Sequence, residues 1–277
     1  MEIKIMARMA MVAAALTLVM GCGSDHDKDT PDNSDVPTPE VQREWTASNS
    51  RPDWHVDWSA DVARPQWIAP DPRKYDSWML LMVRVQDELL SYVSEDDLMA
   101  VTIAGKTRVV ASPAQNATQK SNEQANQYFL LKILGNEDSD DLVDYTLSYY
   151  NARLKQLFEV SVRDYFIAEK VYGVEEDFCV DFLAACKKYP FRSMLTVILP
   201  EDIIPATGDM IAVFVGNDCR GVQTIDSAID NKTVKLTAYE REEGEQAIFT
   251  YYSQAKGTTT FDTTVKLSSS PSVVTLR

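Results

Sequence analysis

The chain has 277 residues, 45% of them hydrophobic, and a formal net charge of −15. That balance argues against a nucleic-acid partner, because no basic patch is available to release phosphate counterions, and it suits a protein kept soluble by its own charge. The length accommodates two domains of about 100–130 residues, and no run after Met20 approaches the roughly 20 apolar residues of a membrane helix.

The chain opens MEIKIMARMAMVAAALTLVMGC, with Lys4 and Arg8 in a short basic segment, an apolar run from Met9 to Met20, then Gly21 and Cys22. This pattern reads as a secretory signal, 1–21, too short for a comfortable membrane span. The ending LVMGC resembles a bacterial lipobox, in which a small residue precedes a cysteine that is lipidated and becomes the mature N-terminus. That resemblance implies a lipid on Cys22, which anchors the chain to a membrane without spanning it; an ordinary signal followed by a free thiol is the other reading. Loss of Glu2, Lys4 and Arg8 with the signal removes one net positive charge and leaves −16.

Residues 22–47 are polar, acidic and Pro-bearing, and a segment of that kind cannot bury enough apolar surface to offset its ordering entropy. A flexible tether is expected there. Its acidic residues resemble the surface-export signals of Bacteroidota lipoproteins, and Gly23 and Ser24 do not resemble inner-membrane retention signals. Together these imply an outer-membrane address, lipid-anchored, with exposure on the cell surface if the acidic stretch is an export signal; a plain spacer is its other reading.

All five tryptophans, Trp45, Trp54, Trp58, Trp67 and Trp78, lie within 34 residues. In an extended segment Trp54 and Trp58 share a face. Exposed tryptophans stack on sugar rings, with Asp53, His55 and Asp57 nearby for polar contacts, so Trp54, His55, Trp58 and Trp67 are the candidate ligand-binding residues. The competing reading places these rings in the core or in a cleft between domains, each burying about 150–250 Å².

The rest of the chain reads as two copies. DLMAVTIAGKTRVV (97–110) aligns without a gap to DMIAVFVGNDCRGV (209–222), keeping Asp97/Asp209, Ala100/Ala212, Val101/Val213, Arg108/Arg220 and Val110/Val222. VRVQDELLSY (83–92) matches VILPEDIIPA (197–206), Tyr149-Tyr150 faces Tyr251-Tyr252, and QYFLLKIL (127–134) matches TVKLTAYE (233–240). The matches keep their order, as duplication of a whole domain requires. Each is rich in β-branched and aromatic residues with period-two alternation. AVTIAGKTRVV and AVFVGNDCRGV each predict two strands joined by a tight turn, at Gly105 and at Gly216-Asn217, where positive φ is tolerated. Arg108 and Arg220 either pair with Asp97 and Asp209 or point outward to a ligand; the structural reading is favoured because both copies keep the arginine while other polar residues differ. The expected fold is all-β: two tandem Ig-like β-sandwiches, 48–184 including the Trp-rich segment and 185–277. The segment VYGVEEDFCVDFLAAC predicts a short helix or a long crossover.

These repeats, from APDPRKYDSWMLLMVRVQDELLSYVSEDDLMAV and SMLTVILPEDIIPATGDMIAVFVGNDCRGV, resemble repeats of surface lipoproteins of Bacteroides and related gut bacteria. In those a Met-x-Val strand, an acidic loop and an AxFVGxxCRGVA hairpin recur in β-sandwich copies. The resemblance covers most of 48–277 and implies a domain type, with no activity attached. The first copy departs from it, with Lys106-Thr107 where the second has Asp218-Cys219.

Little in the chain offers catalysis. The histidines are His26 and His55, and no nucleophile–base set, His-based metal site, P-loop or dinucleotide fingerprint can be assembled. No cofactor is expected. The acidic runs SEDD (94–97), NEDSDD (136–141) and EED (175–177) are candidates for Ca²⁺, which takes about six to eight oxygens, but none has EF-hand spacing and solvated loop acids are the commoner case. With Cys22 lipidated, Cys179, Cys186 and Cys219 remain; a Cys179–Cys186 bridge needs an irregular loop, since on a straight helix the two stand roughly 10 Å apart. DSA (226–228) and DTT (262–264) resemble the O-glycosylation acceptor of Bacteroidota. The reading that follows is a non-catalytic, surface-anchored binding protein for a glycan or other extracellular ligand. The alternatives are a component that docks to another envelope protein, and a hydrolase with an unrecognised carboxylate pair.

Overall fold

The computed structural model describes residues 43–48, 50–113, 128–138, 142–174, 178–227 and 232–277. The signal, Cys22, most of the tether, the Glu175–Asp177 run and parts of NEDSDD and DSA lie outside them.

Fifteen strands make two copies of one topology among the described residues. The first copy contains β1 (Ser77–Arg84), a single helical turn α1 (Asp87–Leu90), β2 (Leu98–Ile103), β3 (Lys106–Ala111), β4 (Tyr128–Gly135), β5 (Leu142–Asn151), β6 (Gln156–Tyr165), β7 (Val171–Tyr172) and β8 (Phe178–Cys179). The second contains β9 (Phe191–Ile198), β10 (Met210–Val215), β11 (Asp218–Thr224), β12 (Thr233–Glu240), β13 (Gln246–Ser253), β14 (Gly257–Lys266) and β15 (Ser272–Thr275). One sheet of each copy runs β3-β2-β5-β6 or β11-β10-β13-β14; the other runs β4-β1-β7, with β8 also on β1, or β12-β9-β15. The closing strands lie parallel to the first strand in both copies. In the immunoglobulin partition, strands one, two, five and four share a sheet; here strand one pairs with four and with the closing strand.

Alternation decides which side chains enter each sandwich. Along β9, Ser193, Leu195 and Val197 are buried between exposed or half-buried neighbours. The first core gathers Val83, Phe129, Leu131, Tyr149, Phe158 and Phe182; the second gathers Val197, Ile211, Val213, Phe249, Tyr251 and Phe261. The β2–β3 loop has positive φ at Ala104 and Gly105, whereas in the β10–β11 loop Gly216 alone carries it and Asn217 does not. Both hairpins bulge at the same place, after Val101 and after Val213.

Several expectations need correction. β4 and β12 superpose as 128–135 on 233–240, one residue from the sequence match, because Gly135 and Glu240 both end the pairing with the first strand. A one-residue slip exchanges the faces of a strand, so the burial pattern settles the register. The boundary also moves. Val180, Phe182, Leu183, Cys186 and Tyr189 all pack in the first core, and the second copy starts at Phe191. The segment before the boundary holds two short strands and a 3-10 turn at Phe182–Ala185. Its Cys179 and Cys186 are both free thiols, the first exposed and the second buried.

Arg108 and Arg220 do not reach Asp97 and Asp209. They sit beside the bulge, four or five residues along the neighbouring strand from the aspartate, which is about 15 Å of strand. Arg108 donates to the Leu134 carbonyl at 3.3 Å and to Glu137, and its guanidinium lies 4.8 Å from the Tyr75 ring. Arg220 repeats this with the Tyr239 carbonyl at 3.4 Å, Glu245 at 2.9 Å and the Tyr189 ring at 5.2 Å. Each glutamate also accepts a backbone N–H, from Asn136 or Arg241. The expected pairing with Asp97 and Asp209 is therefore replaced by a carbonyl, a glutamate and an aromatic ring in each case.

The Trp-rich segment is a strap across both copies, and it engages the second copy first. Arg43, placed in the tether by sequence, forks onto Asp202 at 2.8 and 3.1 Å and lies over Phe261. Thr46 exchanges two backbone hydrogen bonds with Thr258. Arg51 donates to Thr224 at 2.7 Å. The strap then crosses to the first copy, where Ala60 and Val62 donate to the carbonyls of Leu154 and Lys155, both at 2.9 Å. The same end of the same hairpin is thus engaged in each copy, and residues 43–48, expected to lie in or beside the tether, are part of the strap.

Candidate functional site

From Arg51 to Trp58 the strap alternates: Pro52, Trp54, Val56 and Trp58 face the protein, while Arg51, Asp53, His55 and Asp57 face solvent. Trp54 and Trp58 do share a face, but it is the inner one. Trp58 is only 3% exposed and stands edge-on to Tyr239, ring centroids 4.6 Å apart, and to Tyr189 at 5.5 Å. It plugs the junction of the two copies and cannot serve as a stacking platform. Trp67 is half-buried. Trp78 faces outward from β1 with the Lys132 ammonium 5.0 Å from its ring.

Trp54 and His55 line a cleft of about 310 Å³ between the strap and the β10–β11 hairpin, together with Asp57, Tyr189, Asp218 and Arg241. Trp54 is half-buried, edge-on to Phe214 at 5.8 Å, and this contact sets its ring as one wall. Opposite it, Arg241 pairs with Asp218 at 3.0 Å, bonds to Tyr189 and is held above its ordinary pKa by that contact. Outside the lining, Lys188 donates to Asp57 at 2.7 Å and to the Ser59 carbonyl at 2.8 Å. Burial alone would raise the Asp57 carboxyl, but hydrogen bonds from Lys188 and Ser59 outweigh it and hold the group at about 2. His55 lies 3.4 Å from Asp53.

A general acid for glycoside hydrolysis needs a raised carboxyl pKa, and Asp57 is shifted the other way. Cys219 lines the cleft, but burial pushes its thiol up to about 11, so it is protonated at neutral pH and a poor nucleophile. Two acidic runs are used structurally: Asp97 of SEDD is fully buried among hydrogen-bond donors, and Glu137 of NEDSDD pairs with Arg108. Among the described residues, no group of three or more His, Cys, Asp or Glu side chains is arranged to hold a metal ion.

The first copy differs at two of the matching lining positions. At the matching positions it carries Lys106 for Asp218 and Asn136 for Arg241, and the Asn136 amide is occupied by the Asp76 N–H and the Lys74 carbonyl. Of the lining residues, sequence reasoning singled out Trp54 and His55 as candidates and Asp53 and Asp57 as their polar neighbours. Tyr189, Phe214, Asp218 and Arg241 were missed; the one signal for them was the departure of Asp218-Cys219 from the first copy. A second cavity, of about 290 Å³, lies between Trp45, Ile203, Ile204 and Lys256.

No protein-family model and no curated protein matches the chain. Among solved structures, the major pilin subunit BcpA of Bacillus cereus is 10% identical over 73% of this chain and 59% of its own, with a TM-score of 0.17. The SGBP-B protein of the Bacteroides ovatus mixed-linkage glucan utilization locus, in complex with a mixed-linkage heptasaccharide, is 12% identical over 71% of this chain and 42% of its own, also with a TM-score of 0.17. The chain thus spans less than two thirds of either protein, and likeness at this level does not inform on ligand.

Proposed function

We propose that the chain is a non-catalytic binding protein, anchored by a lipid on Cys22 to the outer membrane and exposed on the cell surface, that holds a glycan in the cleft between the strap and the β10–β11 hairpin. The observation that carries this reading is the composition of that cleft. An aromatic wall at Trp54 shares the cleft with the Asp218–Arg241 pair, and the first copy carries Lys106 and Asn136 at the positions matching that pair. An apolar wall with a few oriented polar groups is the usual make-up of a small-ligand site. The anchor rests on the lipobox-like LVMGC and on the acidic stretch behind it.

The test is affinity electrophoresis of residues 23–277 against host and plant polysaccharides, beside Trp54→Ala and Arg241→Ala variants shown by circular dichroism to be folded. Retardation of the wild type that both variants lose supports the reading. Labelling with a radioactive fatty acid, abolished by Cys22→Ala, tests the anchor.

A second reading, docking to another envelope protein, is favoured by the outer face of the β4-β1-β7 sheet. Trp78, Leu80, Met82, Leu130 and Val171 share that face, and Leu130 and Val171 are 48% and 43% exposed. At three matching places the second copy has Arg192, Thr196 and Lys235, so the fold itself does not require apolar residues there. An exposed apolar patch of that kind marks an interaction surface. Loss of a crosslinked envelope partner on Leu130→Glu, with glycan retardation unchanged, would support it.

A further inference from the structure

We infer that the cleft selects uncharged, hydroxyl-rich sugars and excludes polyanionic glycans such as uronate or sulfate polymers. This rests on the binding reading above and adds the class of ligand.

The charges around the cleft are already matched from within. Arg241 is committed to Asp218 at 3.0 Å and Lys188 to Asp57 at 2.7 Å, and the His55 ring lies 3.4 Å from the Asp53 carboxylate. Among the described residues lining the cleft, Arg241 and the His55 ring therefore each lie beside a carboxylate of this same chain. An anionic ligand that reached the remaining N–H groups of Arg241 would sit beside the Asp218 carboxylate, in a cleft that also holds Asp53 and Asp57. It would do so on a chain of net charge −15, so the long-range field adds to the local repulsion. A bulk cation fares little better, because Asp57 and Asp218 are occupied and only Asp53, its side chain 96% exposed, is left to a solvent-screened contact.

A hydroxyl group meets neither obstacle. It donates and accepts at once, and a carboxylate beside a guanidinium or ammonium offers both functions side by side, with lone pairs and N–H groups left over after the internal bond. The Asp218–Arg241 pair lines the cleft, as does Asp57 with its Lys188 partner outside the lining, and the Trp54 wall offers an apolar surface to the C–H face of a sugar ring. A volume of about 310 Å³ lies at the small end of ligand sites, which suits one or two sugar units.

The test uses the mature chain, residues 22–277 with Cys22→Ser, in affinity gels at about 0.15 M salt, where the screening length is about 8 Å. The probes are mixed-linkage β-glucan, xyloglucan and galactomannan as neutral polymers, polygalacturonate and chondroitin sulfate as anionic ones, and chitosan as a cationic one. The expected result is retardation by at least one neutral polymer, weakened roughly tenfold by Arg241→Ala, as for loss of a charged hydrogen-bond donor, and unchanged when the salt is doubled. No retardation by the anionic polymers is expected. Retardation by an anionic polymer or by chitosan alone, lost in Trp54→Ala, would overturn the ligand class and leave the binding reading intact. Retardation by none of the six would overturn both. Asp218→Asn keeps the shape of the cleft and removes one carboxylate; if it alone creates binding to polygalacturonate, exclusion by the internal carboxylates is supported directly.

Discussion

The hydroxyl of Tyr149 donates to the buried carboxylate of Asp97 at 2.7 Å, and 102 residues later Tyr251 makes the same bond to Asp209 at the same distance. Each aspartate also accepts a backbone N–H from the turn that follows the tyrosine strand, Ala152 or Gln254. The pair therefore ties the entry of the second strand to the hairpin opposite it. Tyr149→Phe and Tyr251→Phe should each lower stability by about 1–2 kcal/mol, the cost of removing one donor from a buried, charged acceptor. Urea unfolding of each variant measures this, and no loss in either would show that the bond is incidental to the fold.

Trp58→Ala should be a stability variant, costing about 3–5 kcal/mol as large-to-small changes of buried aromatic residues do, because its ring is 3% exposed between Tyr189 and Tyr239. Trp54→Ala should cost far less and act on binding. Thermal melts of the two variants side by side separate the roles; equal destabilisation would contradict the assignment of Trp54 to the cleft wall.

The strap depends on Gly257, whose φ is +94° and whose added Cβ would lie 2.1 Å from the Thr46 carbonyl oxygen. Gly257→Ala should lift residues 43–48 from the β13–β14 hairpin. Limited proteolysis reads this as rapid cleavage upstream of Pro52, while the two sandwiches stay resistant. A digestion pattern identical to that of the wild type would mean the strap is held elsewhere.

In the absence of reductant, denatured residues 23–277 should titrate three thiols, because Cys179, Cys186 and Cys219 are all free; a Cys179–Cys186 bridge would leave one. In the native protein at pH 8, Cys219 should react slowly with iodoacetamide, since burial holds its thiol up at about 11 and the thiolate is the reactive form.

Asp57 makes a pH-dependent contribution. Its folded pKa of about 2 lies below the ordinary 3.8, so the stabilisation is fully present above pH 4 and is lost as the pH falls toward 2. Asp57→Asn should show a shallower fall in Tm between pH 4 and pH 2 than the wild type. Parallel curves would place the Lys188 contact outside the stability of the fold.

The duplicated hairpin was legible because it is local. Small residues at Gly105 and Gly216 between apolar strands have few other uses, and their positive φ follows from the turn. The partners of Arg108 and Arg220 were not legible, since Glu137 and Glu245 lie 29 and 25 residues away along the chain and any nearby acid is equally plausible on paper. Period two placed Trp54 and Trp58 on one face correctly, yet periodicity is silent about which face meets the protein.

By itself, then, the sequence determined the all-β class, the repeat and the turn positions, and it carries the leader pattern, because alternation, turn chemistry and apolar run length are properties of neighbouring residues. Tertiary structure alone decided that the strap crosses the second copy before the first, that Trp58 closes the junction between copies, and that Trp54, Asp57, Asp218 and Arg241 line one cleft. Those relationships join residues far apart in the chain, such as Trp58 with Tyr239 and Trp54 with Asp218, and they arise from how two sandwiches are strapped together, which no local pattern encodes.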